Sequence, residues 1–219
     1  MIICWLLMKL INMKQRKVLD RGFINLISQF GSDQDILKYS GRNYTTDVHA
    51  TIQYLLDREP NVFKQVNFQF YVKVPKFVLN TWETSELGSI WRLLVTPNSR
   101  DYYIPPYFIN KAKKELSEQE CNALYTKFEN FHQWIFNFVD KMMNRGVSYS
   151  QVKTILPDSQ YVEFYWTIDL KSLMEFITFY YYDKHNIELK KYARTLLEIV
   201  SELLPITSVE FIKKELPNE

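Results

Sequence analysis

Residues 66–74, VNFQFYVKV, alternate without interruption, with Val66, Phe68, Phe70, Val72 and Val74 on one side and Asn67, Gln69, Tyr71 and Lys73 on the other. Successive side chains of an extended chain point to opposite faces, so the pattern predicts a half-buried strand whose apolar face something else must cover. Pro75 lacks the N–H that a ladder requires and predicts the strand's end. Residues 161–168, YVEFYWTI, predict a second such strand, and residues 17–20 a short third one.

The segments available to cover those strands carry a helical period. Val48, Ile52, Leu55 and Leu56 recur at helical spacing within 46–57, and Asp33 is placed to cap a short helix reaching Tyr39. Ser117 with Glu120 three positions on forms a capping-box pair, which predicts a long helix running to Arg145 and stopped by Gly146. Along it Phe128, Phe131, Trp134, Ile135 and Phe138 repeat at three- and four-residue steps, a stripe that reads as core packing. Further helices are expected at 148–156, 172–182 and 187–204. The fold class is therefore α+β, a central mixed sheet packed by long helices. No linker, low-complexity tract or repeat interrupts residues 13–219, which read as one domain behind an N-terminal extension at 1–12.

Composition excludes several classes of function. The chain has 219 residues, and 27 basic against 25 acidic side chains leave a net charge of +2. That is too little for a protein that coats nucleic acid by neutralising phosphates. Two cysteines, Cys4 and Cys121, close at most one disulfide and supply no thiolate metal site, which points to the reducing cytoplasm. His49, His132 and His185 are too scattered to suggest a metal centre, and no GxGxxG, P-loop or GxSxG motif occurs. The opening MIICWLLMKLINM carries Lys9 and Asn12 and falls short of the roughly 20 apolar residues that span a bilayer, so no membrane segment is expected. High Lys, Asn, Ile, Phe and Tyr usage fits an AT-rich genome, viral or low-GC bacterial.

Four blocks carry a family resemblance. EFYWTIDLKSLMEFITFYYYDKHNIELKKYARTLLEIVSELLPITSVEF, residues 163–211, resembles the C-terminal half of flavin-dependent thymidylate synthases, where FxWTxNxRSLxxFLxLR leads into HAQxEIxxYA and PxTxxAF. VLDRGFINLISQFGSD resembles that family's opening strand and helix, FQFYVKVPKFVLNTW its FxFxVKxPxFVxRQW strand and turn, and RDYYIPP its FYIP. The blocks stand in the family's order over residues 13–211. The resemblance implies a homotetramer with active sites between subunits. There a methylene group passes from a folate to the uracil of dUMP, with hydride delivered by FAD that NADPH has reduced.

This chain departs from the family at its phosphate-binding signature, RHRxxSxNExSxRY. Thr84, Ser85 and Glu86 stand at the RHR positions; Ser89 keeps its place, and Trp91, Arg92, Leu93, Leu94, Val95, Thr96 and Pro97 follow. Lys153 stands where an arginine meets dUMP, Asp169 and Lys171 replace the Asn and Arg of WTxNxR, Tyr180 replaces the arginine of FLxLR, and Lys184 replaces the histidine of HAQ. On this alignment Ser89, Arg92, Lys153 and Tyr180 line any pyrimidine nucleotide pocket, and Ser85, Glu86, Asp169, Lys171 and Lys184 fall on the cofactor side. Arg-to-Lys exchanges keep the charge and lose the bidentate fork, and Glu86 sets an anion where phosphates would lie.

Each of these residues also has a plain reading as a surface lysine, a turn serine or a packed ring. Asp169 and Glu188 would make an acid–base pair only if buried together. Three functions remain, in this order: a scaffold or partner subunit that has lost dUMP methylation and works as a homotetramer or beside an intact homologue; an FAD-dependent enzyme retuned to another pyrimidine nucleotide; and an ordinary thymidylate synthase.

Overall fold

In a computed structural model the described residues are 15–41, 47–94, 100–108, 114 and 116–217, with the side chains of 92–94 left out. The expected extension at 1–12 and the signature positions Val95, Thr96 and Pro97 lie outside them. The chain divides into two compact units. The first comprises Met1–Val74, Val78–Leu94 and Glu163–Glu219, and the second Pro75–Phe77 and Val95–Val162.

A five-stranded sheet organises the first unit: β1 (Arg16–Val18), β2 (Gly22–Phe30), β3 (Asn67–Pro75), β4 (Ser89–Leu94) and β5 (Tyr161–Asp169), in the order β1-β2-β3-β5-β4. The ladders β1–β2, β2–β3 and β4–β5 are antiparallel. Helices α1 (Asp33–Tyr39), α2 (Val48–Arg58), α3 (Lys76–Glu83), α6 (Leu170–Tyr181), α7 (Ile187–Leu203) and α8 (Pro205–Glu215) accompany the sheet, with a 3₁₀ turn at Pro60–Gln65. The architecture is the expected α+β. Phe68, Phe70, Val72 and Val74 of β3 are fully buried, as the alternation requires. Trp166 of β5 lies 5.9 Å from Phe70, and it, Phe164 of β5, Phe176 of α6 and Tyr192 of α7 are buried too, each contributing roughly 1.5–3 kcal/mol by burial. Tyr192 fixes its helix to the sheet by donating its hydroxyl to the Lys73 carbonyl at 2.7 Å.

On the sheet's other face an aromatic row crosses four strands. Phe23, Tyr71, Tyr165 and Trp91 follow one another with ring centroids 5.5, 5.0 and 6.2 Å apart. Tyr71 donates its hydroxyl to Glu163, which also lies 3.6 Å from Lys73 Nζ. Burial, reinforced by that carboxylate, pushes the Tyr71 phenol well above its ordinary range.

The second unit is built on α4 (Glu118–Asn144), followed by α5 (Tyr149–Val152) and a 3₁₀ turn at Lys153–Ile155. The capping box is formed as expected: Ser117 Oγ accepts the Glu120 N–H and the Glu120 carboxylate accepts the Ser117 N–H. Gly146 follows at φ +82°, a backbone conformation that favours glycine. Ile135 and Val139 pack with Val152, and Met142, Val147 and Leu156 close the cluster.

Three expectations need correction. The α4 stripe is not core: Phe128, Phe131, Trp134 and Phe138 are 36, 55, 63 and 41% exposed, and of the five residues only Ile135 is buried. The helix carries a second apolar face, His132, Ile135, Phe136 and Val139, and that one is covered. Asp33 does not cap its own helix. Ser32 does so, accepting the Asp35 N–H, while Asp33 serves α8. The chain beyond Pro75 is no simple turn, since α3 begins at once and buries Val78, Leu79 and Trp82.

Candidate functional site

The segment aligned with the phosphate-binding signature is a tight turn between α3 and β4, held from both ends. Trp82, 1% exposed, anchors the end of α3 among Phe164, Trp166, Phe176 and Tyr192, with ring centroids 4.8–5.8 Å away. Thr84 Oγ1 donates to the Thr81 carbonyl at 2.6 Å and Ser85 Oγ to the Trp82 carbonyl at 2.7 Å, while Ser85 Oγ accepts the Leu87 N–H at 3.3 Å. Both hydroxyls thus close the turn itself. Glu86 takes the left-handed conformation, φ +54°, and is exposed.

Beyond Glu86 the turn is fastened to β5. The Trp166 indole N–H donates to the Leu87 carbonyl at 3.0 Å. Gly88 follows at φ +74°, where a Cβ would come within 2.7 Å of the Thr167 carbonyl and 2.8 Å of Trp166 Nε1. Only glycine fits that approach. Ser89, exposed, then pairs with Thr167 and opens β4. Arg92 lies in β4, its side chain outside the described residues.

Tyr180 lies near the same turn but is only 2% exposed. Its hydroxyl donates to the Thr81 carbonyl at 3.4 Å, and its ring packs against Phe176 at 4.8 Å. Burial, with a further push from Asp183, raises its phenol pKa, so at neutral pH it is an uncharged donor. Asp169 is the N-cap of α6, accepting the Ser172 N–H at 3.0 Å and its hydroxyl at 2.8 Å. Neither Asp169 nor Glu188, which sits in the first turn of α7, is buried, so the condition for an acid–base pair is not met. Lys171 pairs with Glu175 at 2.7 Å. Lys184 is exposed in the turn before α7. In that turn burial pushes the Asp183 carboxyl upward, but hydrogen bonds from Asn186 and the His185 N–H outweigh it and hold the group below its ordinary range. Lys153 belongs to the second unit, exposed in its 3₁₀ turn.

The structure therefore gathers Ser85, Glu86, Ser89 and Tyr180 around one turn. Lys171 and Lys184 stand on other parts of the first unit. Between Thr84 and Ser89 the turn contains no cation, so a nucleotide diphosphate or phosphate there would meet the Glu86 carboxylate and hydroxyls already engaged with backbone. A buried phosphate needs cationic or backbone donors, so these residues do not fit the phosphates of FAD or dUMP as the family's signature does.

Two of the cavities among the described residues open on the first unit. One, of about 310 Å³, is lined by Lys171, Met174 and Phe179 of α6 with Leu56, Phe211 and Lys214. The other, of about 600 Å³, is polar and lined by Tyr39, Arg58, Asn61 and Gln65 among others. Arg58 pairs with no carboxylate among the described residues. Nothing in the sequence pattern marked this cavity, because its lining comes from two separate stretches, 39–40 and 58–65.

Two further clusters escaped sequence reasoning. In the second unit His132, 1% exposed, lies 2.7 Å by Nδ1 from the Phe128 carbonyl and 2.6 Å by Nε2 from Ser159 Oγ, stacked 4.0 Å from Tyr102. A carbonyl only accepts, so Nδ1 carries the proton and Nε2 accepts from the serine. Burial lowers the imidazole pKa, against the opposing effect of the Phe128 carbonyl. In the first unit Glu210, 5% exposed, takes His49 Nδ1 and Lys213 Nζ, each at 2.8 Å. Among the described residues no three His, Cys, Asp or Glu side chains gather as a metal site, and no helix is long and apolar enough to cross a membrane.

Comparison with known proteins follows the same lines. The family model described as Thymidylate synthase complementing protein matches residues 24–206. A flavin-dependent thymidylate synthase of Thermus thermophilus is 30% identical, over 89% of this chain and 77% of its own length. One from Thermosipho melanesiensis is 27% identical, over 90% of this chain and 93% of its own. Among solved structures, a UMP/dUMP methylase, PolB, from Streptomyces cacaoi bound with 5-Br dUMP superposes with a TM-score of 0.80, covering 91% of this chain and 98% of that one at 16% identity. That likeness establishes a shared fold.

Proposed function

Because this chain belongs to the flavin-dependent thymidylate synthase family, we propose that it is a divergent member that no longer methylates dUMP and serves as a scaffold or partner subunit. The observation that carries this reading is the turn from Thr84 to Ser89, which offers Glu86 and no cation at the positions aligned with the family's RHR. Tyr180 supports it, a buried neutral phenol standing where the family has an arginine. The assembly that goes with this function is a cytoplasmic homotetramer, alone or beside an intact homologue. Light scattering that returns the monomer mass at micromolar concentration would count against it.

The test is direct. The purified protein is expected to be colourless, without flavin absorbance, and to leave a synthase-deficient bacterium dependent on thymidine. Robust thymidine-independent growth on this chain alone would refute the reading. The second reading, an FAD-dependent enzyme retuned to another pyrimidine nucleotide, is favoured by Arg58 in its polar cavity. For it, calorimetry should detect nucleotide binding that Arg58→Glu abolishes.

A further inference from the structure

From the exposed face of α4 we infer that this helix is a docking surface for an acidic amphipathic helix of a partner protein. Phe131, Trp134 and Phe138 stand 55, 63 and 41% exposed on one side of the helix, away from the buried His132, Ile135 and Val139. Trp134 and Phe138 stack at 5.6 Å with planes 1° apart, so the stripe is pre-ordered. Lys127, Lys141 and Arg145 continue the same line.

The spacing of the stripe suits a helix as its occupant. Positions 127, 131, 134, 138, 141 and 145 alternate four and three residues, the heptad seam along which two helices interlock. Aromatic anchors at the centre of a seam are where docking energy concentrates.

Charge selects the kind of helix. The flanking residues of this face are cationic at both ends, and between Ala123 and Arg145 it contains no acid. Glu120 lies on the same side in the first turn, but its carboxylate is engaged by the Ser117 N–H and hydroxyl. Asp140 lies off the stripe and pairs with Arg100. A second copy of α4 is a poor occupant: antiparallel pairing about Trp134 sets Lys127 against Lys141, and parallel pairing sets each lysine against itself. The fitting partner presents apolar residues at its centre and carboxylates about 21 Å apart, the span of the lysines at about 1.5 Å per residue. This inference stands whether or not the chain binds a nucleotide.

The experiment uses the full chain and two fluorescein-labelled helical peptides of three heptads. Both have leucine at the central seam positions; one has glutamate and the other lysine facing Lys127 and Lys141. At low salt the glutamate peptide should bind at least about tenfold more tightly than the lysine peptide. Lys127→Glu with Lys141→Glu should reverse that preference. Trp134→Ser should weaken binding at least about tenfold while leaving the melting curve unchanged, since the ring is exposed. Equal affinity for the two peptides, or binding that survives Trp134→Ser, overturns the inference. So does Trp134-dependent binding to phosphatidylserine vesicles with no peptide bound, or self-association in sedimentation that Trp134→Ser abolishes.

Discussion

The carboxylate of Asp33 accepts the backbone N–H of Thr207 at 3.1 Å across 174 positions of chain, and takes the Thr207 hydroxyl as well. A third bond, from the Ile206 N–H at 3.0 Å, completes the cap on the open N-terminus of α8. The first turn of α1 is thereby bonded to the first turn of the last described helix. Both partners lie in blocks that resemble the family, GSD and PITSVEF, and this contact is a physical reason for the two to occur together.

Replacing Asp33 by alanine should therefore cost about 2–4 kcal/mol, since a buried charged acceptor and a helix cap are lost together. Urea unfolding measures it. A loss under about 0.5 kcal/mol, the range of ordinary surface substitutions, would mean that the contact is not formed in solution.

Gly88→Ala should be more damaging than its size suggests. At φ +74° a Cβ meets the Thr167 carbonyl and Trp166 Nε1, so the Leu87–Trp166 bond must open. A loss of roughly 2–3 kcal/mol is expected, with a changed near-ultraviolet spectrum from Trp166. Glu86→Gly, at φ +54°, should be tolerated or mildly stabilising in the same assay.

Glu210 governs part of the acid limb. The Lys213 hydrogen bond, opposed by burial and helped by His49, holds its carboxyl below the ordinary value of 4.5. A depressed carboxyl contributes stability that is fully present above the unfolded value and is lost as pH falls through the folded one. The urea midpoint should thus drop below about pH 4.5, and Glu210→Gln should flatten that drop. An unchanged acid limb in the variant would exclude Glu210 as its source.

His132 acts at milder pH. Its folded-state pKa lies below the ordinary 6.5 because the ring is buried. The unfolded chain then binds a proton more readily, so stability is full above about pH 6.5 and declines as pH falls towards the folded value. His132→Gln should lower stability at pH 7.5 yet lose the slope below about pH 6.5. If the slope persists in the variant, another group titrates there.

Much of the architecture was legible because it rests on local period. The alternation of β3, the capping box and glycine stop of α4, and the helical spacing of α2, α6 and α7 all lie within one element, and all appear where expected. The four family blocks were legible for the same reason. The site was legible in residue identity: the loss of cations between Thr84 and Ser89 is a matter of composition. That Ser85 Oγ is consumed by the Trp82 carbonyl, or Asp169 by Ser172, depends on turn geometry that no spacing announces.

What tertiary structure alone decided is which of two competing local options was taken. The α4 sequence contains two apolar faces, and helical period serves either equally. Val152 and its neighbours cover Ile135 and Val139 and leave Phe131 and Trp134 exposed. Asp33 would serve as a cap in either of two helices. Ser32 takes the nearer N-terminus, and the close approach of α8 gives Asp33 the further one. Local period sets which elements form, because its causes lie within a few residues. The covered face and the partner of a buried carboxylate follow from segments far apart in the chain, and only the packed structure brings those together.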